Sequence, residues 1–396
     1  MRAYKYKSAL NELYDFEGFN VCGFLQASDK MEVYLKRTRI TGICPVCKKQ
    51  RRKVSEICLR TVRDLDVSGK RCYIRFESYH INCSCGYSGM EQLDFLKRYD
   101  RYTKRFSEFV ALLCQKMSLC DVAKITRINW KTAKRIDKEK LKELVIDLKT
   151  ISPKRIGVDE IAYEKGHKYL TIVRDLDYGV IWVGKDRRKE TLEEFFDELG
   201  KEKSVQITVA VIDMWDPYIK SIKENTIAEI VFDKFHVAKK INEVVDKIRK
   251  KEFAKADEQE RKLMKHKRFL ILSRQEKLDE EDKESLKNLM KQNTVLYAAY
   301  LLKEQGLDIF SEEDQQTAVK RLERWIENVA NAQIKEFEET IKAITRYFYG
   351  IVNYFKYNLT NAASEGYNTK ISVIKRRAYG FRDLEYFKLK ILQSCH

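Results

Sequence analysis

Three short β-prone runs, each closed by an aspartate, constrain this chain more than any other feature. Ile156-Gly157-Val158 leads into Asp159, the apolar stretch Val205–Ile212 into Asp213, and Ala228–Phe232 into Asp233. Apolar runs of this length without polar alternation are strands covered on both faces, so they call for a sheet with helices packed on it. The pattern around them supplies the rest. A turn with Gly166 follows the first run, then a strand at Tyr169–Val173, then a hairpin across Asp177-Tyr178-Gly179 to a strand at Val180–Val183. Thr191–Leu199 and Asp216–Lys223 have helical periodicity and alternate with the later strands. The order is β-β-β-α-β-α-β-α, a three-strand meander followed by parallel strands. It is the order of a ribonuclease H-like sheet, in which strands one and four are neighbours. Asp159 and Asp213 are therefore expected to end adjacent strands and converge.

Upstream, Cys44-Pro-Val-Cys47 and Cys83-Ser-Cys85-Gly86 flank two strand-like runs, around Leu59–Arg63 and Cys72–Ser78. Two cysteine pairs on turns joined by a β-ribbon read as a zinc ribbon, with four thiolates for a tetrahedral ion that substitutes for a larger core. The second pair is close-set, and His80 is the alternative to one of its thiolates. Cys58, Cys72, Cys114, Cys120 and Cys395 read as unrelated buried cysteines.

After a helix at Phe106–Lys116, Ser118 is placed to cap a short helix, Leu119–Lys124, with Asp121 complementing its dipole and Val122, Ala123 and Ile125 on its buried face. A turn at Arg127-Ile128-Asn129 leads to a basic helix, Trp130–Lys138. This is the layout of a helix-turn-helix, and Trp130, Lys131, Thr132, Lys134 and Arg135 are its candidate DNA contacts. Leu141–Thr150 reads as a connecting helix ended by Pro153.

From about Val237 to Tyr357 the pattern is helical and densely charged, with no strand signal. Trp325, Phe337, Tyr347, Phe348, Tyr354 and Phe355 are read as its core. A last segment has Asn361 or Ser364 as helix cap, Glu365 in the first turn, Asn368 beyond it, and Lys375, Arg376 and Arg377 as further candidate DNA contacts, closed by Gly380.

The chain has 396 residues, with 78 Lys and Arg against 60 Asp and Glu, a formal charge of +18. That balance favours a polyanionic partner. No apolar run is long enough to cross a membrane and the first residues lack a signal-peptide core, so the expected setting is the cytoplasm, beside the nucleoid, with no membrane partner. In such a compartment paired cysteines point to metal rather than disulfides.

Acids at adjacent strand ends in a basic chain suggest oxygen ligation of Mg²⁺ or Mn²⁺, with two ions clamping the attacking and leaving oxygens of a phosphodiester. The residues alone do not choose the third acid: Glu365 competes with Glu338, Glu339 and Glu385. The stretches CPVC, NCSCGY, GVDEIAYEKGHKYLTIVRDLDYG, VIDMWDPYIKSIKE, IVFDKFHVAKKINEVVDKIRK and SEGYNTKISVIKRRAYGFRDLEYFKLKIL together resemble bacterial insertion-sequence transposases of the DDE class, and the ISL-three family in particular. The resemblance covers nearly the whole chain. It implies Asp159, Asp213 and Glu365 as the catalytic, Mg²⁺-binding acids and selects Glu365 from its competitors. It also places Asp233 and His236 in a D-x-x-H element that supports the active site, while Tyr367 stands where a smaller aliphatic residue is usual.

The implied architecture is a multidomain α/β protein. Residues 1–98 would hold the zinc ribbon (about 40–90), residues 99–150 the helix-turn-helix, residues 151–245 and 355–396 a ribonuclease H-like catalytic core, and residues 246–354 an all-helical insertion. The implied activity is binding of terminal inverted repeats, hydrolysis at the element end to free a 3′-hydroxyl, and its joining to target DNA, by a homodimer or larger assembly on DNA. Two other readings stay open: a DNA-binding repressor with an inactive core, and a ribonuclease H-like nuclease.

Overall fold

The computed structural model describes residues 10–164, 166–265, 267–291, 293–359 and 362–395; the side chains of residues 259, 263 and 362–365 fall outside that description. The chain divides into two compact units, Met1–Leu144 and Val145–His396.

The first unit is built on a sheet of β1 (Phe19–Gln26), β2 (Lys30–Arg37), β5 (Val54–Val67), β6 (Lys70–Asn82) and β7 (Ser88–Met90), with a small hairpin of β3 (Gly42–Ile43) and β4 (Gln50–Arg51) beside it. The spatial order is β1-β2-β6-β5, with β7 on β6; β2 and β6 are parallel and the other pairs antiparallel. Alternation along β6 buries Cys72, Ile74 and Phe76 against Phe16, Phe19 and Phe95, which pack as stacked and edge-to-face rings. A fully buried acid, Asp64 on β5, ties the sheet to the helices that follow. It accepts from Thr103 Oγ1 at 2.6 Å and from Arg105 Nε at 2.8 Å, so its charge is paired rather than stranded.

Three helices follow the sheet in this unit: Lys104–Lys116, Leu119–Thr126 and Trp130–Leu144. Ser118 caps the second by accepting from the Asp121 N–H. Arg127, in the left-handed conformation, ends it and turns the chain. Val122, Ala133 and Ile136 close on Phe106 and Val110. Ile125, expected inside, is exposed: the face that begins at Val122 continues one turn on at Thr126, whose hydroxyl donates to the Val122 carbonyl at 2.6 Å. The expected connecting helix over Leu141–Thr150 does not form as a separate element. The basic helix itself runs on to Leu144, and only a 3₁₀ turn, Leu148–Thr150, follows before Pro153.

The second unit holds a five-stranded sheet, β8 (Arg155–Glu164), β9 (Lys168–Asp175), β10 (Gly179–Lys185), β11 (Val209–Ile212) and β12 (Glu229–Phe232), in the order β10-β9-β8-β11-β12. The first three are antiparallel, and β8, β11 and β12 run parallel. β11 is shorter than its apolar run, because Lys201–Ser204 forms a helical turn and the chain enters the sheet only at Thr208, whose N–H bonds the Lys154 carbonyl at 2.8 Å. Helices Lys189–Leu199 and Asp216–Asn225 make the two crossovers and bury Leu192, Phe195, Phe196, Tyr218 and Ile222 with the strands. On β9 and β10, Leu170, Ile172, Val180 and Val183 pack with Ile371, Ile374, Phe387 and Ile391 from the helices Ala362–Arg377 and Leu384–Ser394. Tyr367 packs at the margin of this second cluster.

The described residues between 234 and 357 are helical apart from short turns. The buried side chains of this region, among them Trp325, Phe337, Tyr347, Tyr354 and Phe355, belong to the same apolar cluster as the strands. The contact is close at β12: a Cβ on Gly350 would lie 2.5 Å from the Phe232 ring.

Candidate active site and metal centre

The register of the parallel strands explains how distant acids meet. β8 pairs with β9 along its whole length but with β11 only from Arg155 to Gly157, which faces Val211. β11 faces β12 from Val209–Glu229 to Ile212–Phe232. Two residues beyond Gly157 is Asp159, two beyond Val211 is Asp213, and one beyond Phe232 is Asp233. All three thus stand in one row, where the parallel pairing gives out. Asp159 is not at the end of its strand, as expected from sequence, but midway along it. β8 continues to Glu164 because β9 still offers it a partner, from Asp159 opposite Ile172 to Glu164 opposite Lys168. What ends at Asp159 is the cover of the neighbouring strand, and that opens the carboxylate to a cleft.

The cleft has a volume of about 150 Å³, and its lining includes Asp159, Glu160, Asp213, Trp215, His236 and Lys240. One Asp159 oxygen accepts from Asn368 Nδ2 at 2.8 Å, and the other from the Glu160 backbone N–H at 2.7 Å. Burial, and then the charge on Asp213, hold its carboxyl above the usual aspartate range. Asp233 acts locally, capping the helix Lys234–Lys255 by accepting from the Phe235 N–H at 3.1 Å. Burial raises its pKa as well. From the first turn of that helix, His236 Nε2 reaches within 2.7 Å of Asp213 Oδ1, and the imidazole pKa is raised by that contact. Behind the row lies the buried Arg174. Gly157 is a glycine for its sake, since a Cβ there would sit 2.5 Å from the Arg174 Nε.

Carboxylate oxygens beside an open cleft are the donor set of a hard divalent cation. Burial and then the repulsion from Asp213 lift Asp159, and a cation between the two carboxylates would offset both, so the residues present fit one. The backbone of Glu365 lies in the helix Ala362–Arg377, but its side chain is outside the described residues, as is Asn361. The competing Glu338, Glu339 and Glu385 are exposed and absent from the cleft lining.

In the first unit, Cys44 and Cys47 sit on the β3–β4 hairpin, and Cys83 and Cys85 on the turn from β6 to β7. Their four sulfurs lie within 4.8 Å of one another, the only such group of three or more His, Cys, Asp or Glu ligands among the described residues. Cys44–Cys85 and Cys47–Cys83 sulfur separations are 3.7 and 3.4 Å. A tetrahedral zinc–thiolate centre with bonds of about 2.3 Å needs sulfurs roughly 3.8 Å apart, so the set fits such an ion. His80 is not part of it; its Nδ1 is 2.9 Å from Ser55 Oγ. Arg51 donates from Nε to Cys83 at 3.0 Å, and the Cys85 N–H and then Arg51 pull the Cys83 thiol down to about 6, toward the thiolate a metal requires.

Along the basic helix, Trp130 and Lys131 are exposed at its start, with the Lys131 ammonium 5.9 Å from the indole centroid. Thr132 and Lys134 are partly exposed. Arg135 is already engaged, donating to Glu139 at 2.8 Å and to Asp100 at 3.4 Å. In the second unit Lys375 reaches the Ala162 carbonyl at 3.4 Å, and Arg376 is exposed beyond it.

Sequence reasoning passed over Arg174, Arg187, Trp215, Lys240 and Arg51, and it did not pair Asn368 with Asp159. Gly157 carried the one available signal, because a glycine inside a buried strand marks a close approach.

Comparison with known proteins is consistent along the chain. A family model described as "Transposase", of the ISL3 group, matches residues 156–391, and one described as "Helix-turn-helix domain of transposase family ISL3" matches residues 91–139. The chain is 32% identical over 367 residues to the transposase for insertion sequence element IS1001 of Bordetella parapertussis, covering 91% of this chain and 90% of that one. It is 29% identical over 355 residues to the transposase for insertion sequence element IS1557 of Mycobacterium tuberculosis, covering 82% and 79%. Among the described residues no helix is long and apolar enough to cross a membrane.

Proposed function

The chain belongs to the ISL3 family of transposases, and on that premise we propose that it is a DDE enzyme that cuts DNA at the ends of its insertion sequence and joins the freed 3′-hydroxyl to target DNA. The observation that carries the reading is the row of Asp159 and Asp213 at one cleft, with His236 2.7 Å from Asp213. Glu365 is the proposed third acid, chosen by its place in the family motif. The sheet order β10-β9-β8-β11-β12 supports a ribonuclease H-like core. We assign it to residues 151–245 and 355–396, with residues 246–354 as a helical insertion, residues 99–150 as the helix-turn-helix domain and residues 1–98 as the zinc-ribbon region.

Asp159, Asp213 and Glu365 would hold Mg²⁺ or Mn²⁺. When bound, a pair of such ions supplies Lewis acidity toward the attacking hydroxyl or water and toward the departing 3′-oxygen. The chain's own residues prepare the site. The Asn368 amide and the Glu160 N–H fix both oxygens of Asp159, so its carboxylate does not have to reorient. His236 orients Asp213 and offsets part of the negative charge that would repel a phosphate. Lys240, on the same helix as His236, gives the cleft a cation for the DNA backbone. No protein nucleophile is required.

Recognition is assigned to the first unit. The helix Trp130–Leu144 would enter the major groove with Trp130, Lys131, Thr132, Lys134 and Arg135, while a zinc ion on Cys44, Cys47, Cys83 and Cys85 would brace the neighbouring hairpin. Lys375, Arg376 and Arg377 would add phosphate contacts near the cleft. Handling two ends of an element implies at least a dimer on DNA, acting in the bacterial cytoplasm.

The test is strand cleavage of a labelled duplex carrying the terminal repeat that brackets this chain's own gene, with Mg²⁺ or Mn²⁺, using wild type and Glu365→Gln. Metal-dependent nicking at the repeat end that the variant lacks supports the assignment. Equal nicking by both removes Glu365 from it. Tight binding without nicking on single or paired ends refutes the enzymatic reading.

A further inference from the structure

Beside the acid row stands an aromatic group that the metal site does not use. Trp215, two residues after Asp213, lines the same cleft and is 38% exposed. Its neighbour Tyr218 shows the opposite behaviour: it is buried, and its hydroxyl lies 2.7 Å from Thr171 Oγ1, a structural contact. Part of the Trp215 indole is therefore open at the rim of a charged cleft, where it can meet a ligand as well as its own neighbours.

The indole is held in place. Its Nε1 donates to the Arg187 carbonyl at 3.3 Å, and the Arg187 guanidinium lies 5.0 Å from the Trp215 ring centroid and 4.2 Å from that of Tyr169. The same guanidinium donates to Glu160 at 2.8 Å. Tyr169, Arg187 and Trp215 thus form a ladder of two rings with a cation between them, anchored to the residue next to Asp159. A ring so fixed gives up little conformational freedom when a second planar group stacks on it, and the adjacent cation strengthens such stacking. The cleft, about 150 Å³, suits one planar base rather than a base pair.

We infer that Trp215, backed by Arg187, is the stacking platform for a single nucleobase drawn out of the duplex beside the reacting phosphate. The inference rests on the transposase reading above and adds to it a substrate conformation: the element end is unpaired at one nucleotide when it is cut. Enzymes that work on duplex DNA meet an unstacking cost for an extruded base and recover it by stacking on aromatic side chains. Here the platform sits two residues from one proposed metal ligand and its anchor, Glu160, sits one residue from the other, so the extruded base and the scissile phosphate would belong to neighbouring nucleotides.

The experiment uses the full-length protein and the repeat-end duplex with 2-aminopurine placed at each terminal position in turn, without divalent metal, so that binding is read without chemistry. The expected result is a fluorescence change at one position that Trp215→Phe retains and Trp215→Ala loses while still binding the duplex. No position-specific change in wild type, or the same change in Trp215→Ala, overturns the inference. In parallel, with Mg²⁺, Trp215→Ala should cut the intact duplex about fivefold or more slowly, the low end of base–aromatic stacking, and an abasic site at the responsive position should close that gap. A defect that persists unchanged on the abasic duplex means a structural role and also overturns it. Failure of wild type to cut at all refutes the transposase reading instead, and the fluorescence scan still decides the platform.

Discussion

Asp159→Asn should make the metal-free protein more stable while abolishing cleavage. In wild type the Asp159 carboxylate has lost much of its hydration and is repelled by Asp213 and Asp233, and it is held above the ordinary aspartate pKa. The substitution keeps the shape and an acceptor for the Glu160 N–H, now at 2.7 Å. Asn368, now a 2.8 Å donor, can turn its amide over and accept from the new amide. What is removed is chiefly a half-buried charge. Relief of this kind at functional sites is commonly worth about 0.5–2 kcal/mol, which in a unit of this size raises Tm by about 1–8 °C. The pH dependence has a definite sign. An acid whose folded pKa lies above its unfolded value binds protons more tightly when folded, so wild type gains stability as pH falls through the raised value toward the ordinary range near ~4. The variant's advantage should therefore be full at neutral pH and shrink on acidification. Mg²⁺ at 100 times its dissociation constant should stabilise wild type by about 2.7 kcal/mol and the variant by much less. Thermal unfolding with EDTA and with Mg²⁺, at neutral and acid pH, measures all of this. A variant less stable than wild type in EDTA, or one that keeps the full Mg²⁺ response, refutes the reasoning.

The purified protein should carry one equivalent of zinc, and Cys47→Ser or Cys83→Ser should lose it while Cys58→Ser keeps it; metal analysis with no stoichiometric zinc in wild type would end the assignment. Lys131→Ala should weaken binding to repeat and unrelated duplexes alike and lower the slope of log affinity against log salt by about one; an unchanged slope in a filter-binding titration means Lys131 touches no phosphate. Gly350→Ala should destabilise the second unit by about 1–3 kcal/mol, the usual cost of overpacking, because its Cβ meets the Phe232 ring at 2.5 Å and that ring is fully buried; urea denaturation that matches wild type would show that the helix Phe348–Tyr357 can move aside.

Much of the fold was legible in the residues because it depends on local periodicity. Runs such as Val209–Ile212 declare strands buried on both faces, Ser118 and Asp121 declare a helix start, and closely paired cysteines on turns declare a shared ligand. Local signals misled where a neighbour decided. Asp159 looked like a strand end, but β9 carries β8 on to Glu164. The family motif, not any physical pattern, singled out Glu365 among the chain's many acids.

By itself, then, the sequence determined the order of the elements, the acid that goes with each core strand, the four paired cysteines and the basic helix, since each is written in spacings of a few residues. The tertiary structure alone decided the row that brings Asp159, Asp213 and Asp233 level, through the register of β8, β11 and β12. It also decided which side chains serve those acids. Asn368 reaches Asp159 across 209 residues of chain, and His236 meets Asp213 from the helix after a different strand. Arg187 comes to rest between Tyr169 and Trp215. Such pairings leave no periodic trace in the chain, because they depend on how separate elements pack and not on the residues beside them.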